Sequence, residues 1–310
     1  MKRTDAIRRF AAFCSLTVFA LLAAGCSDRL IVLNPKGPIA EQQRDLIYIS
    51  AALCLIVLVP VLLLTFWIVW RYRDKAGNKA AYKPEWEHNA KLEAVWWGIP
   101  VVIIAVLAVI TVKYTMELEP SKPLASAAGK EPLTIQVTSL DWKWLFYYPE
   151  QGIATVNYIR FPEDTPIRFE LTSDAPMNSF WIPQLGGQIY TMSGMAMKLH
   201  LQADEPGVYY GSGANFSGEH FASMRFAAEA VPQEEFEGWV AEIRRTEPPL
   251  TEEGYEQLAK PGVADVQRFS SFPEGQFERT VTKYAASHQH HAHSGEIDTT
   301  EGGGGHVGQH

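Results

Sequence analysis

Residues able to hold a metal are unevenly spread along this 310-residue chain. Its cysteines, Cys14, Cys26 and Cys54, all lie in or before the first long apolar run. The second half carries Met192, Met195, Met197, His200, His220 and Met224, and ends in His288, His290, His291, His293, His306 and His310. A binuclear copper centre needs two thiolates, and a blue-copper site needs one with two imidazoles. The region beyond residue 114 can supply neither, nor form a disulfide. TMSGMAM spaces its methionines as a strand does, which suits a pliable core or interface filler better than a thioether site. His200 and His220 are too few for a site without thiolates, and the terminal histidines amount at most to a loose metal scavenger.

One carboxylate stands out by position. Glu93 opens an apolar run in NAKLEAVWW. By residue type alone it reads as an interfacial charge, with His88 beside it as a surface residue.

Several elements must position these groups. Lys2, Arg3, Arg8 and Arg9 precede an apolar run over residues 10–25 that ends LLAAGC, the pattern of an export signal covering residues 1–25. The Ala-Gly-Cys ending predicts lipidation of Cys26 as the first mature residue. Residues 26–45 then form a short periplasmic segment before a membrane hairpin over 46–114. Its spans are 51–70 and 94–112, each uncharged and long enough to cross about 30 Å of hydrocarbon. Arg71, Arg73, Lys75, Lys79, Lys83 and Lys91 place the loop 71–93 in the cytoplasm. Trp67, Trp70, Tyr72, Trp96 and Trp97 supply an aromatic belt on that side.

A Pro-, Ser- and Ala-rich linker (115–132) follows, and the pattern then changes to period two. LTIQVTS, TPIRFELTS, MKLHLQAD, GVYYG and MRFAAEA predict short strands of a β-sandwich over 133–231. EEFEGWVAEIRR and TEEGYEQLAK predict two helices in an extension over 232–285, and residues 286–310 read as a disordered tail. Charge divides the chain. Residues 1–114 carry 14 basic and 8 acidic side chains, whereas 115–310 carry 13 and 27. An exported domain this acidic excludes nucleic acid as a partner. It would tolerate a basic protein such as a soluble cytochrome, so acidity alone does not settle the partner.

The stretch 209–226, YYGSGANFSGEHFASMRF, resembles the metal loop of subunit II of the haem–copper respiratory oxidases. Copper-bearing members of that family write it Cys-x-Glu-x-Cys-x3-His-x2-Met, with another histidine upstream. In register with Met224, this chain has Gly213, Asn215, Ser217 and Phe221 at the loop positions, and Asn178 upstream. These are degenerate ligand positions, and no metal is expected there. HNAKLEAVWW, TSLDWKWLFYYPEQGIATVN and APMNSFWIPQLGGQIYTMSGMAMKLHL extend the resemblance to subunit II of the cytochrome bo-type ubiquinol oxidases.

That resemblance implies a membrane-anchored, cupredoxin-like Greek-key β-sandwich with a C-terminal helical extension. It also implies an inner-membrane complex that oxidises ubiquinol, reduces oxygen to water and moves protons outward. Haems, the remaining copper and the quinol site would then belong to subunit I. Membrane lipid and further small subunits would be neighbours, and cytochrome c would not be a partner. Glu93 would stand at a proton-uptake entrance, and Trp142 and Trp144 would be core residues with no electron to relay. The competing readings are a copper-bearing cytochrome c oxidase subunit II and a membrane-anchored metal-binding module. The first is opposed by the missing cysteines and histidines, and the second leaves the long resemblance unexplained.

Overall fold

A computed structural model describes residues 30–81, 85, 87–124 and 129–293, the last nine of them as helical backbone only. Cys26 lies outside the described residues.

Two helices, α1 (Pro38–Tyr72) and α2 (Ala90–Glu117), are both long and apolar enough to cross a membrane. Their apolar faces are not buried within the chain; Phe66 is 72% exposed and Trp97 71%. Lipid or partner helices must cover such faces. Both helices outrun the expected spans, and α1 begins inside the segment 26–45 expected to be periplasmic. It begins at Pro38, a residue suited to a first turn because it lacks the N–H that would go unpaired there. Its polar start is held by one tertiary hydrogen bond and by ion pairs within the helix. The Ala40 N–H donates to Leu185 O at 3.2 Å, and Arg44 reaches Glu41 and Asp45 at 3.1 and 2.8 Å.

The strands form two sheets. One is ordered β11-β3-β2-β1-β5-β8 and comprises β1 (Leu133–Leu140), β2 (Lys143–Tyr148), β3 (Ile153–Val156), β5 (Ile167–Ser173), β8 (Met197–Leu201) and β11 (Gln267–Phe269). The other is ordered β4-β10-β9-β6-β7 and comprises β4 (Tyr158–Pro162), β6 (Asn178–Trp181), β7 (Ile189–Thr191), β9 (Gly207–Gly213) and β10 (Arg225–Val231). Antiparallel pairs dominate, but β1 runs parallel to β5, and β4 to β10. The chain changes sheet between β3 and β4 at Asn157, whose φ is +55°. Its amide fixes this corner, accepting from the Trp144 N–H at 2.9 Å and donating to Ala264 O at 2.7 Å.

Between the sheets lies an aromatic core of Trp144, Phe146, Tyr148, Phe169, Phe180 and Phe226. It continues into α3 (Gln233–Thr246) through Phe236, Trp239, Val240 and Ile243. The sequence boundary at 231/232 therefore does not divide the core. A second core lies on the far side of the six-stranded sheet. There Leu140, Leu145, Tyr147 and Val156 meet Leu250, Tyr255 and Leu258 of α4 (Glu252–Ala259) and its approach, and Phe277 of α5 (Gln276–His293). Covering both faces explains why every residue of β1 and β2 is buried. The two-helix expectation for the extension is amended by β11 and α5. The helix runs to His293, so the first part of the tail expected to be disordered from 286 is helical.

Candidate functional site

Strands β9 and β10 are hydrogen-bonded neighbours, and the loop 214–224 leaves and rejoins them at one point. There the Gly213 N–H donates to Met224 O at 2.9 Å. Ala214 N–H donates to Ser179 O at 2.9 Å, which draws the start of β6 to the same place. Asn178, only 2% exposed, therefore points into the mouth of the loop. Its Nδ2 donates to Ser217 Oγ at 3.1 Å and lies 2.8 Å from Met224 Sδ, while its Oδ1 accepts from the Ser179 N–H at 2.8 Å. A Cβ on Gly213 would lie 2.8 Å from Asn178 Oδ1 and 3.5 Å from Met224 Sδ. Positions 178, 213, 217 and 224 thus converge in space.

The other two positions do not join them. Asn215 turns away and donates to Met177 O at 3.2 Å, and the Phe221 ring packs on Phe216 at 5.6 Å. A tryptophan holds the loop in place. Trp142, with φ at +62°, donates from Nε1 to Ser217 O at 3.1 Å and meets the His220 ring edge-on at 4.9 Å. Gly218, at φ +115°, passes so close that a Cβ would come within 3.1 Å of the indole. Trp142 is therefore a loop clamp, whereas Trp144 is fully buried against Phe180 and Phe226.

The donor set at this mouth is one thioether, one amide and one hydroxyl. Neither copper centre considered above can be built from it, since both need thiolate sulfur. No group of three or more His, Cys, Asp or Glu gathers into a metal-sized cluster among the described residues. Met197 packs against the sandwich core, Met195 is exposed, and the His200 ring lies 3.2 Å from Pro120 O, tying the linker to β8.

Glu93 sits in the first turn of α2. Asn89 caps that helix, its Oδ1 accepting from the Lys91 and Leu92 N–H groups, both at 3.1 Å. Glu93 Oε1 reaches back to the Asn89 N–H at 3.2 Å and to His88 Nδ1 at 2.5 Å. His88, expected to be a surface residue, is exposed and is paired with the carboxylate. Only local spacing hinted at this contact, because the turn that closes it is set by the Asn89 cap.

Two further buried charges escaped sequence reasoning. Lys143, 3% exposed at the head of β2, donates from Nζ to Leu258 O and Lys260 O at 2.7 and 2.6 Å. It thus places its charge at the carbonyl end of α4. Burial pulls its pKa below the usual lysine range, against the opposing pull of Asp141. Asp174 accepts from Tyr255 Oη at 2.6 Å, Lys283 Nζ at 2.7 Å and Tyr284 Oη at 2.8 Å, and so holds α4 and α5 on the sheet. A lysine flanked by tryptophans in an apolar run was the available signal for the first, and none marked the second.

On the outer face of the five-stranded sheet, Arg160 contacts Glu229 Oε2 at 2.8 Å. Burial alone would raise the Glu229 pKa, but hydrogen bonds from Tyr158 and Arg160 hold it below the usual carboxylate range. Burial and that same carboxylate push Tyr158 up to about 12.

Comparison with known proteins agrees with this architecture. The family described as "Cytochrome C oxidase subunit II, periplasmic domain" matches residues 150–231, and the "COX Aromatic Rich Motif" matches 244–288. Cytochrome bo(3) ubiquinol oxidase subunit 2 of Pseudomonas aeruginosa is 47% identical over 281 residues, covering 88% of this chain and 83% of that protein. Ubiquinol oxidase subunit 2 of Acetobacter aceti is 47% identical over 265 residues, 86% of this chain and 85% of that one. The crystal structure of the periplasmic domain of cytochrome oxidase subunit II from Bradyrhizobium japonicum aligns with a TM-score of 0.35 and 26% identity, covering 36% of this chain and 94% of that one. With nearly half its residues shared along most of both lengths, the chain belongs to the quinol oxidase subunit 2 family, whose periplasmic domain is that of cytochrome c oxidase subunit II.

Proposed function

We propose that this chain is the copper-free subunit II of a proton-translocating terminal ubiquinol oxidase in the bacterial inner membrane. One observation carries the reading. Where copper-bearing relatives would place metal ligands, Asn178, Ser217 and Met224 satisfy one another, and no thiolate is within the domain. A domain without copper has no electron acceptor to offer a soluble cytochrome, so electrons enter from a lipid-soluble donor within the membrane. Haems, the remaining copper and the quinol site then belong to subunit I, and this chain contributes structure and a proton entrance at Glu93. That residue lies at the end of α2 opposite the β-domain, so it faces the cytoplasm when the domain is periplasmic. Cys26 carries the lipid.

The test is oxygen uptake by the complex purified in mild detergent. It should oxidise ubiquinol and leave reduced cytochrome c untouched, with no copper beyond that of the oxygen-reducing centre. Turnover with cytochrome c, or a second copper species that stays with this chain, would overturn the assignment. Glu93→Ala should slow turnover with haem content unchanged, and Glu93→Asp should retain more activity. Full turnover in the alanine variant would remove Glu93 from the path.

A further inference from the structure

Glu93 shares a single oxygen between two donors. Oε1 takes both the Asn89 N–H at 3.2 Å and His88 Nδ1 at 2.5 Å, and among the described residues no hydrogen bond is made to Oε2. The pair is asymmetric in exposure. The His88 side chain is 74% exposed and that of Glu93 29%, and His88 precedes α2 whereas Glu93 lies in its first turn, nearer the apolar run. When Glu93 is the carboxylate it can only accept, which puts the proton of this contact on Nδ1 and leaves Nε2 without a partner among the described residues. No other ion pair involves either residue among the described residues. The nearest charges along the chain are Glu85 and Glu87 before the pair and Lys91 on the first turn of α2.

We propose that His88 relays protons from bulk water to Glu93, an inference that rests on Glu93 being the uptake entrance. Nε2 takes a proton from water or buffer, and the Nδ1 proton passes to Oε1. That leaves a neutral ring protonated at Nε2 and a neutral carboxylic acid. Glu93 delivers its proton inward and returns to the carboxylate, and the ring resets by rotation or by exchange with solvent. Imidazole suits this step because its two nitrogens lie on opposite sides of the ring, so that one can take up a proton while the other releases one. The Asn89 cap keeps the acceptor in place, since the same oxygen is pinned by the backbone at the helix start.

The experiment measures quinol oxidation by the intact complex across neutral to alkaline pH in four variants, with haem content reporting assembly. His88→Ala removes the relay. His88→Asn removes it but keeps a hydrogen-bond donor, and stands in should the alanine variant assemble poorly. Both should lose about three- to tenfold in turnover, a modest share of what a positioned proton-transfer group can contribute. The loss should widen as pH rises and bulk protons become scarce, and added imidazole should restore part of it. In a Glu93→Gln background, His88→Ala should cost nothing further, because the two act in series. A Glu93→Gln complex at the wild-type rate would sink the entrance reading and the relay with it. A slow Glu93→Gln beside unimpaired His88 variants would overturn the relay alone. Loss in His88→Ala but not in His88→Asn would also overturn it, reducing His88 to a residue that positions Glu93.

Discussion

Replacing Lys143 with methionine tests whether one buried ammonium holds the C-terminal extension to the sandwich. The side chain makes two short bonds to Leu258 O and Lys260 O, and at 3% exposure water cannot replace them. Hydrogen bonds involving a charged group contribute about 1.5–3 kcal/mol each, so the pair contributes roughly 3–6 kcal/mol. Against this stands the cost of burying the ammonium, visible in its lowered pKa, which methionine would relieve. The net loss for Lys143→Met should therefore be about 2–4 kcal/mol. With a slope of roughly 2 kcal/mol per molar urea, the midpoint should fall by about 1–2 M. The assay is urea unfolding of a soluble piece spanning residues 129–293, which contains both cores and no cysteine. Lys260→Ala should change stability by less than about 0.5 kcal/mol, because Lys143 uses only its backbone carbonyl and its own side chain makes only an exposed contact to Gln257 Oε1 at 2.7 Å. A loss below about 0.5 kcal/mol in Lys143→Met would show that desolvation cancels the two bonds, and would refute the latch.

The same piece answers two other questions. Combining Asn178→His, Gly213→Cys, Asn215→Glu, Ser217→Cys and Phe221→His with the resident Met224 should give a coloured, copper-loaded protein by absorption and electron paramagnetic resonance, the loop swinging positions 215 and 221 in to join the four that already converge, while the unaltered piece takes up no stoichiometric copper; a colourless folded variant would mean that the loop cannot bring those two positions to the site. Glu229→Gln should destabilise the domain by about 1–3 kcal/mol at neutral pH, since it removes the charged partner of Arg160. Because the folded pKa of Glu229 is depressed, its contribution is complete above the unfolded value of about 4.3 and disappears as pH falls through the folded value, so the two unfolding curves should converge in acid. In the full chain, mass spectrometry of the mature N-terminus should find a diacylglyceryl thioether on Cys26, and Cys26→Ser should stay membrane-bound through α1 and α2.

Elements that carry their own pattern were legible in the sequence. Two long uncharged runs gave the spanning helices, and LTIQVTS or MKLHLQAD gave strands. The helix ends were not legible, because the polar turn from Glu41 to Asp45 is held by Leu185 and by its own ion pairs rather than by apolar periodicity. KWLFYY hid β2 for the opposite reason: with both faces of its sheet covered, alternation disappears. The candidate site divides in the same way. The family's loop pattern counted back from Met224 picked out Gly213 and Ser217, and its upstream stretch picked out Asn178. These meet Met224 at the loop mouth because two neighbouring strands fix the loop's ends. Asn215 and Phe221, picked out in the same way, do not join them. The partners of buried charges were out of reach. Lys143 answers carbonyls 115 and 117 residues away, and Asp174 answers side chains 81 to 110 residues away.

The sheet covered on both faces also constrains how the domain matures. During export five strands of the six-stranded sheet, β1, β2, β3, β5 and β8, can assemble as soon as β8 emerges, leaving the β3 edge for β11. Its far face, with Leu145, Tyr147 and Val156, then waits for α4 and α5. At about 5–20 residues per second, the stretch from 202 to 293 takes roughly 5–18 s to synthesise. For that interval the nascent domain shows a naked apolar sheet in the periplasm, close to the bilayer that anchors it. A chain cut short after β10 would be held in that state permanently, a target for chaperones and proteases rather than a smaller working subunit.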